Sequence, residues 1–179
     1  MERNIEARLE KIKQYMSLKT RAQVSELARE FGVTPETMRK DLTYLEDRGF
    51  LYRTHGGAIL RDSNIDVPMT IRVREKTEIK TKICYEALNF IKNDDVVFFD
   101  PSSTSLPLAR LIRVRKNLIV VTNSIDLLLT ASGLDGDIFF LGGEYSNTGR
   151  RVGGHFPIAM IEKFVFSVSF FGTDGFKDL

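Results

Sequence analysis

The run Val24-Ser25-Glu26-Leu27-Ala28-Arg29-Glu30-Phe31-Gly32-Val33-Thr34-Pro35-Glu36-Thr37-Met38-Arg39-Lys40-Asp41-Leu42 contains two helices separated by barely a turn. Val24, Leu27, Ala28 and Phe31 fall at i, i+3, i+4 and i+7, so the first helix buries one face, and Gly32 suits the left-handed residue that ends it. Thr34 is a good N-cap for the second. Pro35 fits the first helical position, where a missing N–H costs nothing, and Glu36 complements the positive end of the helix dipole. Helix, three-residue turn, helix is a unit that reads DNA.

In the second helix Met38, Leu42 and Leu45 lie within about 60° on a helical wheel and face the core. Glu36, Lys40 and Thr43 point away, with Thr37 and Arg39 on the flanks. Short polar and basic side chains opposite an apolar stripe suit a major groove, the cations neutralising phosphates and Thr reaching base edges. After Gly49, Phe50 to Thr54 reads as a strand, His55-Gly56-Gly57 as a tight turn and Ala58-Ile59-Leu60 as a return strand, which makes the unit a winged helix. Arg53 and His55 near the wing tip are candidate DNA contacts; for His55 a turn residue with no contact is an equal reading. Winged helices also serve as protein–protein modules, but here turn, cap, polar face and wing agree on DNA.

Thr37-Met38-Arg39-Lys40-Asp41-Leu42, Leu45-Glu46 and Arg53-Thr54-His55-Gly56-Gly57-Ala58 resemble the N-terminal signature of the DeoR family of bacterial transcriptional regulators, over Met1 to Leu60. The family usually has Ile-Arg-Arg where this chain has Met38-Arg39-Lys40, and Lys40 offers a point charge in place of a guanidinium fork.

The 179 residues, 42% of them hydrophobic, suffice for two small cores. With 26 basic and 24 acidic residues the chain lacks the strong positive field of a non-specific DNA coater, so affinity rests on a few placed side chains and on oligomerisation. One cysteine, Cys84, excludes an internal disulfide and a multi-cysteine metal site, and its helical setting places it in a core. The charged N-terminus and the absence of a long apolar run predict a cytoplasmic protein with no membrane segment.

Ile5, Leu9, Ile12 and Met16 describe a first helix behind the DNA-reading pair. Turn composition at Arg61-Asp62-Ser63-Asn64 and the Val67-Pro68 pair put a boundary near 61–70, dividing the chain into a DNA-binding domain (1–60), a linker (61–76) and a second domain (77–179). There Ile79, Ile83, Ala87 and Phe90 describe an amphipathic helix. Val96 to Phe99, Leu118 to Val121, Ile138 to Leu141 and Phe164 to Phe171 are short apolar runs typical of strands buried on both faces, with helices at Leu106 to Ile112, Ile125 to Ala131 and Pro157 to Lys163 between them. The fold class expected is an α+β winged helix followed by an α/β domain with a mostly parallel sheet and helices on both sides.

Each apolar run ends in a polar loop: Asp100-Pro101-Ser102-Ser103-Thr104-Ser105, Thr122-Asn123-Ser124, Gly142-Gly143-Glu144 and Gly172-Thr173-Asp174-Gly175. In a parallel sheet these converge on the carboxyl edge, where open α/β sheets bind ligands. The hydroxyls and first helical N–H groups of Ser102 to Ser105 can hold a phosphate without any lysine, and Thr122, Asn123 and Asp174 have the donors and acceptors that sugar hydroxyls require. Singly, each loop is as well explained by ordinary capping or turning. Arg150-Arg151 is read as solvated or as closing over an anion, and His155 as a helix-entry residue.

Glu78-Ile79-Lys80, Asp100 with Ser103-Thr104-Ser105, Val121-Thr122-Asn123-Ser124, Leu141-Gly142-Gly143, Val152-Gly153 and Gly172-Thr173-Asp174-Gly175 resemble markers of the DeoR sensor domain. The resemblance implies a fold like ribose-5-phosphate isomerase, a phosphorylated sugar or related metabolite as effector, and release of a repressor from double-stranded operator DNA. It also implies a sensor shortened at Phe176-Lys177-Asp178-Leu179, since relatives continue further. Where the family generally has Gly after the Asp-Ser of the first loop, this chain has Asp100-Pro101-Ser102: a side chain there obstructs backbone approach to a phosphate, and Pro101 stiffens the loop. The partners expected are operator DNA, the effector and further copies of the chain as a dimer or tetramer; no cofactor, metal or catalytic residue is assigned. Two other readings stand beside this one: an isomerase-like sugar-phosphate enzyme with an appended helical domain, for which Asp100, Glu144 and Asp174 supply the only crevice carboxylates, and a DNA module whose second domain only dimerises.

Overall fold

The computed structural model describes residues 2–62 and 66–173, and the chain divides into compact units Met1–Asp66 and Val67–Leu179. The first unit contains helices α1 (Glu2–Lys19), α2 (Val24–Glu30) and α3 (Pro35–Asp47) and strands β1 (Arg21–Gln23), β2 (Leu51–Arg53) and β3 (Gly57–Leu60). Its core gathers Leu9, Ile12 and Met16 of α1, Val24, Leu27 and Ala28 of α2, Met38, Leu42 and Leu45 of α3, and Leu51 and Ala58 of the wing. Ile5 remains 42% exposed, so the stripe on α1 is buried only from Leu9 onward. Gly32 has φ +62°, and the Thr34 hydroxyl accepts the Thr37 N–H at 3.2 Å, as the cap signals require.

Sequence reading missed β1. It joins the hairpin antiparallel in the order β1-β3-β2, with Gln23 opposite Gly57. A three-residue strand with only Ala22 buried has no periodicity to detect. Its approach explains Gly57, where an added Cβ would lie 2.1 Å from the Ala22 carbonyl oxygen.

The second unit runs α4 (Met69–Arg72), α5 (Thr77–Leu88), β4 (Val96–Phe99), α6 (Leu108–Leu111) with a 3-10 turn at Ile112–Val114, β5 (Leu118–Thr122), α7 (Ile125–Ala131), β6 (Gly136–Phe140), β7 (Glu144–Ser146), β8 (Arg151–Gly153), α8 (His155–Ile161) and β9 (Val168–Phe170). The four-stranded sheet has order β6-β5-β4-β9, and every pairing is parallel. The chain winds outward from β4 through β5 to β6 and then returns to the other side of β4. The order therefore reverses between β4 and β9, the position at which open α/β sheets hold ligands.

On one sheet face Cys84 of α5, Leu108, Ala109 and Ile112, and Leu127 and Ala131 of α7 pack against Val97, Phe99, Leu118 and Val120. On the other, Phe98, Val121 and Leu141 meet Ile161, Phe164 and Phe166. The central strands β4 and β5 are well buried, whereas β6 and β9 keep exposed residues, as sheet edges do; burial on both faces was expected of all four.

Three further features depart from the sequence reading. The stretch expected as linker holds α4, with Met69 buried; its residues Ser63, Asn64 and Ile65 lie outside the described set. The Ile79, Ile83 and Phe90 stripe faces outward, these residues being 57%, 50% and 71% exposed, and α5 instead turns Cys84 inward. Polar ties fix that rotation: Cys84 Sγ donates to the Thr104 carbonyl and Lys80 Nζ to Ser103 Oγ, both at 3.0 Å. Finally, β7 and β8 form an antiparallel hairpin between β6 and α8, in a stretch whose polar three-residue strands carry no apolar signal.

Candidate functional sites

On α3, Glu36, Arg39 and Lys40 are exposed while Met38, Leu42 and Leu45 are fully buried. Lys40 Nζ lies 3.1 Å from Glu36 Oε1, one helical turn away; both side chains are about three-quarters exposed (75% and 76%), so the pair is weak and either partner is available to another group. Thr37 shares a 2.9 Å hydroxyl hydrogen bond with the capping Thr34. Thr43 has a second task. Its hydroxyl donates to the Arg39 carbonyl and accepts from Arg53 Nη1, each at 2.9 Å, and the Arg53 backbone N–H donates to Glu46 Oε1 at 2.7 Å. Arg53 thus ties the wing to α3 in addition to standing beside its outer face. His55 is exposed in the wing turn.

The orientation of α3 is set from below by a forked ion pair. Arg8 of α1 donates from Nε to Asp41 Oδ2 at 2.7 Å and from Nη2 to Asp41 Oδ1 at 3.1 Å. The hydrogen bond to Asp41 holds the guanidinium pKa above its ordinary value. Tyr15 of α1 donates to Glu26 of α2 at 2.7 Å, so both helices of the pair are anchored to α1.

In the second unit the loops after β4 and β9 meet. Gly172 N–H donates to Asp100 Oδ2 at 2.8 Å, and a Cβ on Gly172 would fall 2.2 Å from Ser102 Oγ, so a larger residue would push the loops apart. Several hydroxyls serve the loops themselves: Ser102 Oγ accepts the Thr104 N–H, and Ser105 Oγ donates to the Ser102 carbonyl. Thr122 Oγ1 donates to the Phe99 carbonyl and accepts the Ser124 N–H, and Ser124 Oγ caps α7 by accepting the Leu127 N–H. Thr122 and Ser124 are buried and hold the β5 loop in shape. Gly142 has no neighbour within 4 Å of an added Cβ, whereas one on Gly143 would lie 2.4 Å from the Gly153 carbonyl oxygen, so Gly143 serves the approach of β8. Asp174 lies outside the described residues.

Ser103 differs, because its hydroxyl accepts from the Lys80 ammonium at 3.0 Å and keeps its own proton to donate. Sequence reading assigned this loop no lysine; α5 delivers Lys80 to it. Lys80 also donates to the Arg72 carbonyl. Burial, then the nearby Arg72 charge, lowers the Lys80 pKa, and burial raises that of Asp100 against the opposing Gly172 hydrogen bond and Arg72 charge. Among the described residues the buried side-chain polar atoms without a partner are Arg72 Nε and Nη2, Asp100 Oδ1, Asn123 Oδ1 and Arg115 Nε, and all but the last belong to residues around these loops. Buried polar atoms are rarely left unmatched, so the group is suited to a polar ligand. Sequence reading missed Arg72 and the contact of Lys80, because neither lies in a loop and apolar periodicity does not report which polar side chain a helix turns inward. Arg150, a candidate anion clamp, donates to both oxygens of Asp126 at 2.8 Å and is held there.

A winged helix-turn-helix unit followed by a parallel α/β unit, with an outward polar helix in one and a cluster of polar and charged side chains about the β4 loop in the other, defines a two-part helix-turn-helix protein. Residues 8–64 match the DeoR-like helix-turn-helix domain, and residues 75–179 the DeoR C terminal sensor domain. The chain belongs to the DeoR family, whose members are transcriptional regulators and not enzymes. It is 27% identical over 169 residues to the HTH-type transcriptional regulator IolR of Bacillus subtilis, covering 94% of this chain and 67% of the relative. It is 34% identical to the Lactose phosphotransferase system repressor of Lactococcus lactis (84% of this chain, 61% of the relative) and 30% identical to the Glycerol-3-phosphate regulon repressor of Escherichia coli (84% and 60%). The chain therefore spans 60 to 67% of the length of these relatives. Among the described residues no helix is long and apolar enough to cross a membrane.

Proposed function

We propose that the protein is a sequence-specific, cytoplasmic DNA-binding regulator, a repressor of a carbohydrate-metabolism operon that leaves its operator when a phosphorylated sugar or related metabolite fills the sensor crevice. The observation that carries the DNA half is the division of α3 into a fully buried stripe and an exposed face bearing Glu36, Arg39 and Lys40. In a major groove Arg39 and Lys40 meet phosphates or guanine edges, Thr37 and Glu36 lie towards bases, Thr43 and Arg53 support them, and His55 reaches the backbone beside the wing. The named repressors among the relatives support carbohydrate control.

The effector half rests on Lys80 at Ser103, with Ser102, Thr104 and Ser105 shaping the anion loop, Asp100 and Asn123 offered to sugar hydroxyls, Gly142 leaving open space, and Gly143 and Gly172 letting the neighbouring segments close up around it. Thr122 and Ser124 support that edge. We further infer a domain boundary within residues 61–76, a second domain related to ribose-5-phosphate isomerase, and assembly into dimers or tetramers that pair two wings on one operator.

The DNA half is tested on an operator selected from random duplexes. Arg39→Ala and Lys40→Ala should each weaken binding and flatten the log-log salt dependence by about one unit for every phosphate left without its cation. Affinity and salt slope equal to wild type in both variants would reject this docking.

A further inference from the structure

We propose that the outer face of α5 and the open edge of β9 form an interface between two copies of this chain, related by a two-fold axis that lays α5 antiparallel to its mate. The inference rests on the assembly reading above and deepens it by naming the surface through which two second units pair.

Both features lie at one side of the unit. α6 packs against α5 and α7, which leaves α5 outermost in that helix layer, and among the described residues β9 pairs only with β4. Between them runs an open apolar groove of about 480 Å³, lined by Lys82, Ile83, Glu86, Ala87, Phe90 and Phe170. Phe170 is fixed there by stacking on Phe99, with ring centroids 5.3 Å apart. Ile79, Ile83 and Phe90 stand in one exposed stripe along the helix, and the strand beside it, Val168-Ser169-Phe170, has no charge or proline to blunt its edge. A contiguous apolar patch next to a bare strand edge marks a surface that another polypeptide covers.

The charges on α5 select a second copy as that polypeptide. Lys82 and Glu86 are both exposed, one helical turn apart on the same side of the stripe. Where two α5 helices cross antiparallel near residue 84, each sets its Lys82 against the partner's Glu86 and its Ile79 beside the partner's Phe90. A two-fold interface must be complementary to itself, and opposite charges at this spacing meet that condition. The same axis, perpendicular to the sheet, brings β9 antiparallel to its mate. Counted on both copies, the stripe, the groove and the edge strand amount to roughly 1,200 Å², the lower bound for a stable specific interface.

The test is sedimentation equilibrium of the full chain without DNA, over a hundredfold range of concentration, with flotation on neutral phosphatidylcholine vesicles run alongside. Wild type should pass from monomer to dimer and leave the vesicles unbound. Phe90→Ser should raise the dissociation constant of the dimer at least tenfold, as should Lys82→Glu and Glu86→Lys singly, because each reversal sets like charges together at both ends of the axis. Lys82→Glu combined with Glu86→Lys should restore wild-type pairing, which a general loss of stability would not allow. Should Phe90→Ser fail to fold, the exposed charge variants decide alone. A dimer that none of these variants weakens leaves assembly standing and overturns this face. A wild type that stays monomeric removes the assembly reading and this inference with it, and a monomer that floats with the vesicles gives the face to lipid instead.

Discussion

Asp41→Ala should lower the stability of the DNA-binding unit by about 3 kcal/mol, the lower end of the range for breaking a buried pair, because it strands the Arg8 guanidinium against the core. Arg8 is 21% exposed and Asp41 8%, so water recovers some of what the guanidinium loses. For a unit of this size the change corresponds to a fall in Tm of about 10 °C or more, measurable by circular dichroism. Arg8→Met combined with Asp41→Leu should restore much of the loss, since an apolar pair of similar volume removes both the charge and its partner. If Asp41→Ala and the double variant melt alike, within a degree of wild type, the pair contributes nothing to holding α3 on α1.

The second large effect is expected in the sensor. At a phosphosugar concentration about a hundred times its Kd, binding stabilises the folded chain by about 2.7 kcal/mol. Ser103→Ala with Lys80→Met should abolish that stabilisation. The variant also loses the Lys80 ties to Ser103 and to the Arg72 carbonyl, so the ligand-induced shift is read against the variant's own ligand-free melting temperature. The combination separates a binding role from a folding role. Thermal stabilisation that survives in the variant would place the anion elsewhere.

These two sites differed in how plainly the sequence announced them. In the DNA-binding unit Gly32, Thr34 and Pro35 are local signals, each tied to a backbone conformation within a few residues, and the α3 stripe needs only helical geometry. The Arg8–Asp41 pair spans 33 residues, and periodicity left Asp41 beside the core without naming its partner. Thr43 read as a base contact because it points away from Leu42; that Arg53 returns across the wing to bind it depends on the hairpin, which no helix pattern encodes.

In the second unit the strands were legible as branched and aromatic runs and the polar loops as their endings. The rotation of α5 was not. Ile79, Ile83 and Phe90 form the stronger stripe, yet the helix turns Cys84 and Lys80 towards the β4 loop, because Thr104 and Ser103 offer hydrogen bonds there. The polar loops were thus legible in sequence, whereas Arg72 was not and Lys80 stood only among the sensor-domain markers, since both arrive from helices packed alongside.

The most direct test of the central claim is a fluorescence-anisotropy titration of the full chain on its selected operator, with and without a panel of phosphorylated sugars. The expected result is salt-sensitive, sequence-specific binding whose Kd rises at least tenfold with one phosphorylated sugar and is unmoved by the same sugar without its phosphate. Binding that no member of the panel alters, or no preference for the selected operator over random duplex, would contradict it.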